Sequence, residues 1–324
     1  MFKPMKTLLE VDNLTVRFSL RAGEITAVDQ VDFKLQEGER FGLVGESGAG
    51  KSVTGFALIN LISKPGYIAG GSVRFQGNEL TALTDEQIRR VRGNDICMIF
   101  QDPMMTLNPV LTIGTQMVET LQAHRSISTK EAKRAAVETL RKVQIPSPER
   151  RLRQYPHELS GGMRQRVVIA VALITSPSLI IADEPTTALD VTIQAEIMAL
   201  LLSLCKDENM GLILITHDLA VVSQVTQRIA VMYAGRIVEV GATDDIVKHP
   251  RHPYTIGLLS ALPQNKPRGQ RLDQIRGVMP TLLDIPPGCP FNERCDRAQE
   301  ICRRQRPGLE WKQHGGRVAC HFVE

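Results

Sequence analysis

Apolar and polar positions alternate from Leu8 to Phe18, with Leu8, Val11, Leu14, Val16 and Phe18 on the apolar beat. The same period returns from Ala27 to Leu35 and stops at the turn Glu37-Gly38-Glu39. Alternation of this kind predicts half-buried strands, and the first reads as an edge strand. Arg40 to Gly45 is a short apolar strand that runs into a glycine-rich loop, with a helix expected from Lys51 to about Ile62. The run Lys64-Pro65-Gly66 should stop that helix. A hairpin candidate follows at Gly71–Gly77.

Thr84 and Gln87 have the spacing of a capping box, with Leu83 and Ile88 placed as a hydrophobic staple. Gly93 is the expected stop, and Asn94 to Phe100 reads as a buried strand. Between about Asp102 and Gly162 the strand period vanishes. Ser128 and Glu131 form a second capping box there, and Ala132, Ala136, Leu140 and Val143 keep helical spacing. This block reads as a helical insertion in an otherwise α/β chain. Strand-like runs resume at Leu179–Ala182, Gly211–Thr216 and Ile229–Tyr233, with a helix from about Thr192 to Cys205.

Composition changes the picture little. The 324 residues are 43% apolar and 23% charged, ordinary for a globular chain with a sizeable core. A formal charge of +4 suits an anionic nucleotide or a membrane face but does not by itself call for nucleic acid. Met1–Glu10 lacks an apolar core, so no export signal is expected, and no run reaches the roughly 20 apolar residues of a spanning helix. Work at a membrane must then go through partners.

The chemistry sits at strand ends. In Gly45-Glu-Ser47-Gly48-Ala49-Gly50-Lys51-Ser52, followed by Val53, the glycines allow backbone N–H groups to converge on phosphate oxygens, and the following helix adds its positive end. Lys51 should reach the β- and γ-phosphates and Ser52 should ligate Mg²⁺. Asp183 ends an apolar strand and can hold the metal or its water; Glu184 beside it can orient or deprotonate an attacking water. Gln101, at another strand end, can offer its amide oxygen to Mg²⁺ or water. His217, after the next strand-like run, is a candidate γ-phosphate sensor. Phe18 could stack on adenine, although an aromatic at a strand end is as readily core.

With Leu159-Ser160-Gly161-Gly162-Met163 between the phosphate loop and the carboxylate strand, the chain resembles the ATP-binding subunits of ABC transporters over essentially its whole length. That resemblance matches Gly45–Ser52 to Walker A, Gln101 to the Q-loop, Leu159–Met163 to the signature and Leu179–Glu184 to Walker B. It also matches Ala188-Leu189-Asp190 to the D-loop and His217 to the switch histidine. It implies a P-loop (RecA-like) α/β core with a β-rich edge subdomain, a helical insertion near 102–165 and a small Cys-rich C-terminal extension. It further implies a head-to-tail dimer in which Ser160, Gly161, Gly162 and Asp190 close over ATP held by the other subunit. Met163 departs from the commoner Gln and leaves the phosphate-facing residues intact.

Phe100–Pro109, Ala182–Thr192 and Pro250-Arg-His-Pro-Tyr254 are similar to the dipeptide/oligopeptide (nickel) importer branch. The resemblance implies an ATPase on the cytoplasmic face of a bacterial inner membrane. Its partners would be a second homologous ATPase, two membrane permease subunits and a periplasmic substrate-binding protein, with no nucleic acid. Nickel, heme and glutathione importers share the branch, so the cargo stays open among them. A soluble ABC ATPase of repair or translation is the rival, disfavoured by the single cassette and the lack of long coiled-coil arms.

Composition shifts near 248–262, so residues 1–250 are assigned to the ATPase domain and 251–324 to the extension. Within the latter, Cys289, Cys295, Cys302 and Cys320 could build a metal core where a hydrophobic one is hard to make. Four thiolates suit an iron–sulfur cluster, the spacing is not a Cys-x2-Cys zinc pattern, and free thiols remain an alternative. Resemblance to the importer branch implies a 4Fe–4S cluster, with Zn as the alternative. His314 and His321 lie nearby. Cys97 and Cys205 are assigned to core packing.

Overall fold

In this computed structural model the described residues are 6–187, 189–262, 274–312 and 315–323. Ala188 and His314, named above, lie outside them. The chain begins with β1 (Thr7–Leu20), β2 (Gly23–Gln36), β3 (Arg40–Val44), α1 (Lys51–Leu58), β4 (Gly66–Phe75) and β5 (Asn78–Glu79). Then come α2 (Asp85–Val91), β6 (Ile96–Ile99) and five helices, α3 (Pro103–Thr106), α4 (Ile113–His124), α5 (Thr129–Lys142), α6 (Pro148–Arg151) and α7 (Gly161–Leu173). Next are β7 (Leu179–Asp183), α8 (Val191–Asp207), β8 (Gly211–Thr216), α9 (Leu219–Val225), β9 (Arg228–Tyr233) and β10 (Arg236–Ala242). The chain closes with α10 (Thr243–Lys248), α11 (Pro253–Ser260), α12 (Glu300–Arg304), β11 (Glu310–Trp311) and β12 (Arg317–Val318).

Two compact units divide these elements. The first takes the described parts of 1–36, 40–82 and 214–324; the second takes 37–39 and 83–213. Strand β8 contributes Leu214–Thr216 to the first and Gly211–Ile213 to the second.

In the first unit one antiparallel sheet runs β2-β1-β4-β5. The edge-strand expectation for Leu8–Phe18 is therefore corrected: β1 pairs with β2 on one side and β4 on the other. Its alternation survives because pairing fills its edges while one face still meets solvent, which is what sets a period of two. Strands β11-β12-β10-β9-β3 are successive neighbours in the other sheet, with β9 parallel to β3 and antiparallel to β10. Phe33 of β2 stacks on Phe41 of β3 with ring centroids 4.9 Å apart, joining the two layers of this unit.

Helix α1 stops at Leu58 rather than Ile62. Asn60 takes a left-handed φ of 50°, and the Leu61 and Asn60 N–H groups donate to Phe56 O (2.8 Å) and Ala57 O (2.9 Å). That double bond is a Schellman cap, and it ends the helix before the proline can.

The second unit pairs β6 with β7 in parallel, and all five residues of β7 are buried. A parallel strand covered on both faces needs a continuous apolar run, which Leu179-Ile-Ile-Ala supplies. Both capping boxes form, at Thr84/Gln87 and Ser128/Glu131. Residues 102–162 contain helices and turns and no strand among the described residues. Met117, Leu121, Ala136, Leu140 and Val167 are buried in this unit. Cys97 and Cys205 are core residues, as expected.

Candidate nucleotide site

The glycine-rich loop belongs to the first unit. It leaves β3 at Gly45 and enters α1 through Gly50, whose φ of 100° is left-handed. A Cβ at Gly50 would come within 2.6 Å of Ala27 O, and one at Gly45 within 2.3 Å of Met232 O. Only glycine lets the loop pass that close to neighbouring backbone. Ala49 is fully buried, and its carbonyl accepts the Gly235 N–H at 2.9 Å, tying the loop to the β9–β10 turn. Lys51 is buried, with Nζ donating to Gly45 O at 2.9 Å and Glu46 O at 3.0 Å. The ammonium thus lies within the loop, held by two of its backbone carbonyls. Ser47, Gly48, Ser52 and Val53 complete the loop and the first turn of α1.

Glu46 is held at three points, and sequence reasoning missed it. Its N–H donates to Tyr254 Oη (2.8 Å), its carbonyl accepts from Lys51, and its carboxylate takes a two-pronged bond from Arg294 at 2.8 and 3.0 Å. Burial opposes the Arg294 charge, but the hydrogen bonds and fields of Glu46 and Tyr233 outweigh it and raise its pKa. Burial pushes the Tyr254 and Tyr233 phenols up, so both stay protonated, with Tyr254 Oη accepting from the Glu46 N–H and Tyr233 Oη from Arg294. Tyr254 stood in the quoted Pro250–Tyr254 motif. Nothing local in the sequence marked Arg294.

Phe18, on β1, is half-buried, with its ring edge 2.5 Å from where a Gly66 Cβ would stand. The ring therefore covers a bare glycine backbone on the neighbouring strand. His217 is exposed directly after β8; the next residue, Asp218, caps α9 by accepting from the Ala220 and Val221 N–H groups.

In the second unit Asp183 ends β7 and is buried, at 4% exposure. Glu184 follows with a left-handed φ of 45°, an uncommon conformation for a side chain with a Cβ. Its Oε2 accepts from Gln101 Nε2 and from Thr187 Oγ1, both at 2.9 Å. Gln101 and Glu184 are thus brought together, and Thr187 adds a contact that sequence reasoning did not assign. Backbone strain held by side-chain bonds on a strand end is a feature that clusters at working sites.

Ser160 caps α7, its hydroxyl accepting the Met163 N–H at 3.4 Å. A Cβ at Gly162 would press within 2.9 Å of Ile193 Cγ2, and one at Gly161 would touch Leu189. The two glycines therefore serve packing of the α7 start, Gly162 against α8 and Gly161 against Leu189. Asp190 caps α8 by accepting the Ile193 N–H at 3.0 Å.

The four tail cysteines line one small cavity of about 30 Å³, with His252, His321, Phe291 and Phe322 among its walls. Burial raises the thiols of Cys289 (to about 11), Cys295 and Cys320, and each feels the charge of its neighbours. Among the described residues no three His, Cys, Asp or Glu stand in a metal-holding arrangement. The expectation of an iron–sulfur or zinc site is therefore not supported by the described residues.

The family model described as ABC transporter matches residues 28–187, and that described as oligopeptide/dipeptide transporter, C-terminal region, matches 238–302. The oligopeptide transport ATP-binding protein AppD of Bacillus subtilis is 47% identical over 99% of this chain and 98% of its own. The dipeptide transport ATP-binding protein DppD of Haemophilus influenzae is 49% identical over 97% and 95%, and OppD of Salmonella typhimurium 48% over 98% and 94%. Among solved structures, the ATP-binding cassette MJ0796, dimeric and bound to ADP and Pi after hydrolysis, superposes with a TM-score of 0.66 at 28% identity. That match covers 73% of this chain and 99% of the cassette. Likeness at this level along nearly the full length places this chain in the family of ABC transporter ATP-binding subunits, in its oligopeptide/dipeptide transporter branch.

Proposed function

We propose that this chain binds and hydrolyses ATP to power import of di- and oligopeptides through a membrane ABC transporter. The observation that carries this reading is the near-full-length likeness to AppD, DppD and OppD, whose names give peptide transport. Lys51 exchanges its two carbonyl partners for the β- and γ-phosphates. Ser52, Gln101 and Asp183 would hold Mg²⁺, which would neutralise developing charge. Glu184, aimed by Gln101 and Thr187, orients the attacking water, and His217 senses the γ-phosphate. Phe18 offers its ring to the adenine.

Ser160, Gly161, Gly162 and Asp190 act on ATP bound by the companion ATPase, since a serine and N–H groups at a helix start make an anion site. Binding favours the closed pair, and loss of the γ-phosphate releases it. The partners are a second homologous ATPase, two permease subunits and, through the complex, a substrate-binding protein. No described helix is long and apolar enough to cross a membrane. In this reading the chain attaches peripherally to the inner membrane's cytoplasmic face, through the permeases. Cys289, Cys295, Cys302 and Cys320 would hold an iron–sulfur cluster or zinc, which would staple a tail with little apolar core.

The test is Glu184→Gln in the reconstituted importer. The variant should bind ATP, hydrolyse it about a hundredfold to ten-thousandfold more slowly, and lose dipeptide uptake. Wild-type hydrolysis in the variant would remove Glu184 from this role. Intact hydrolysis without dipeptide uptake by the wild type would shift the cargo to another solute.

A further inference from the structure

The contact between Arg294 and Glu46 spans 248 positions of sequence and joins the C-terminal extension to the phosphate loop within one compact unit. Its geometry is that of a bidentate guanidinium–carboxylate pair, the strongest and most directional ion pair available to side chains. The arginine side chain is only 7% exposed and the glutamate 28%, so water screens the pair weakly. Arg294 also donates from Nε to Arg276 O at 2.9 Å and lies over the Tyr233 and Phe291 rings at 5.7 and 5.8 Å. The guanidinium is therefore fixed on several sides before it meets the loop.

Glu46 is an awkward residue for a phosphate cradle. It places a carboxylate one residue after Gly45, on a segment whose work is to receive a triphosphate of several negative charges. Uncompensated, that charge would repel the ligand; swinging free, it would compete for Lys51. Arg294 cancels the charge and fixes its position, while Tyr254 takes the Glu46 N–H and so sets the backbone of the same residue. The extension also lays Met279 over the loop, its methyl carbon 3.0 Å from where a Gly48 Cβ would stand.

We propose that Arg294 is a positioning residue for ATP binding: from the extension it neutralises and pins Glu46, so that the phosphate loop presents a net positive, ordered cradle. This rests on the reading of Gly45–Val53 as the ATP site. Arg294 ends the turn Asn292–Arg294, and Cys295 follows directly. The fold of the cysteine segment thus decides where the arginine stands. The extension is on this account a working part of the nucleotide site.

The test measures affinity of the full chain for a fluorescent ATP analogue, in low and high salt, for wild type, Arg294→Ala, Arg294→Lys and the double variant Glu46→Gln/Arg294→Ala. Arg294→Ala should weaken binding by about tenfold or more, because it leaves a partly buried carboxylate without its partner. Arg294→Lys should fall between, keeping the charge and losing the fork. Adding Glu46→Gln to Arg294→Ala should restore most of the affinity, since the repelling charge is gone, and the loss should shrink at high salt. A merely structural arginine would not be rescued by changing Glu46. Unchanged affinity in Arg294→Ala, or a loss that Glu46→Gln does not relieve, overturns the inference alone. A wild type that binds no ATP overturns the loop reading with it.

Discussion

Glu184 concentrates the account at the scale of single residues. Its backbone is left-handed, its carboxylate is gripped by Gln101 and Thr187, and a strand buried along its whole length carries it. The neighbouring Asp183-Glu184 carboxylates and Gln101 were legible in the sequence because each closes a short apolar run. Thr187 was not, since a threonine in a turn has many ordinary uses. Arg294 was invisible for a different reason: its partner lies at the other end of the chain, and no local pattern encodes such a pair. A second buried carboxyl, Glu239 of β10, gives a prediction. Burial raises its pKa above the ordinary 4.5, although the Arg251 and His252 N–H groups donate to it at 2.9 and 3.0 Å. The folded chain then holds this proton at pH values where the unfolded chain has released it. Stability from the group is present below the unfolded value and is lost as pH rises through the folded one. Urea unfolding at pH 4 and pH 8 should therefore show a larger loss in wild type than in Glu239→Gln. Equal losses would contradict this.

Elements were most legible where they carry their own end signals. Both capping boxes formed where the S/T-x-x-E/Q spacing put them. In the second, the Glu131 N–H donates to Ser128 Oγ at 3.3 Å and the Ser128 N–H to Glu131 Oε2 at 3.2 Å. Ser128→Ala should cost about 1 kcal/mol, because it strands an N–H at the start of α5. Chemical denaturation against Ser126→Ala, an exposed control, checks it; equal stability of the two would deny the cap its weight. Where the sequence misled, the cause was physical. Asn60 ended α1 early through a left-handed cap, an option asparagine has and a pattern of apolar residues does not show. For β1, alternation reports that one face is buried and is silent about how many strands flank it. Strands β11 and β12 have two residues each, too short for any period to register.

For the whole molecule, the order of motifs along the chain was readable, and so was the branch, through Phe100–Pro109, Ala182–Thr192 and the Pro250–Tyr254 motif. The compact units were not. The first gathers residues from both ends of the chain, including the extension that composition alone had set apart at 251–324. Long-range pairs such as Arg294 with Glu46 and Arg306 with Asp29 make that union, and they appear only in three dimensions. The central claim is that nucleotide is clasped between unlike surfaces of two ATPase subunits. A structure of the importer carrying Glu184→Gln, trapped with ATP and Mg²⁺, tests it most directly. The account predicts Ser160 of this chain within hydrogen-bond distance of the γ-phosphate seated on the companion subunit's loop. Ser160 turned away from that phosphate would contradict it.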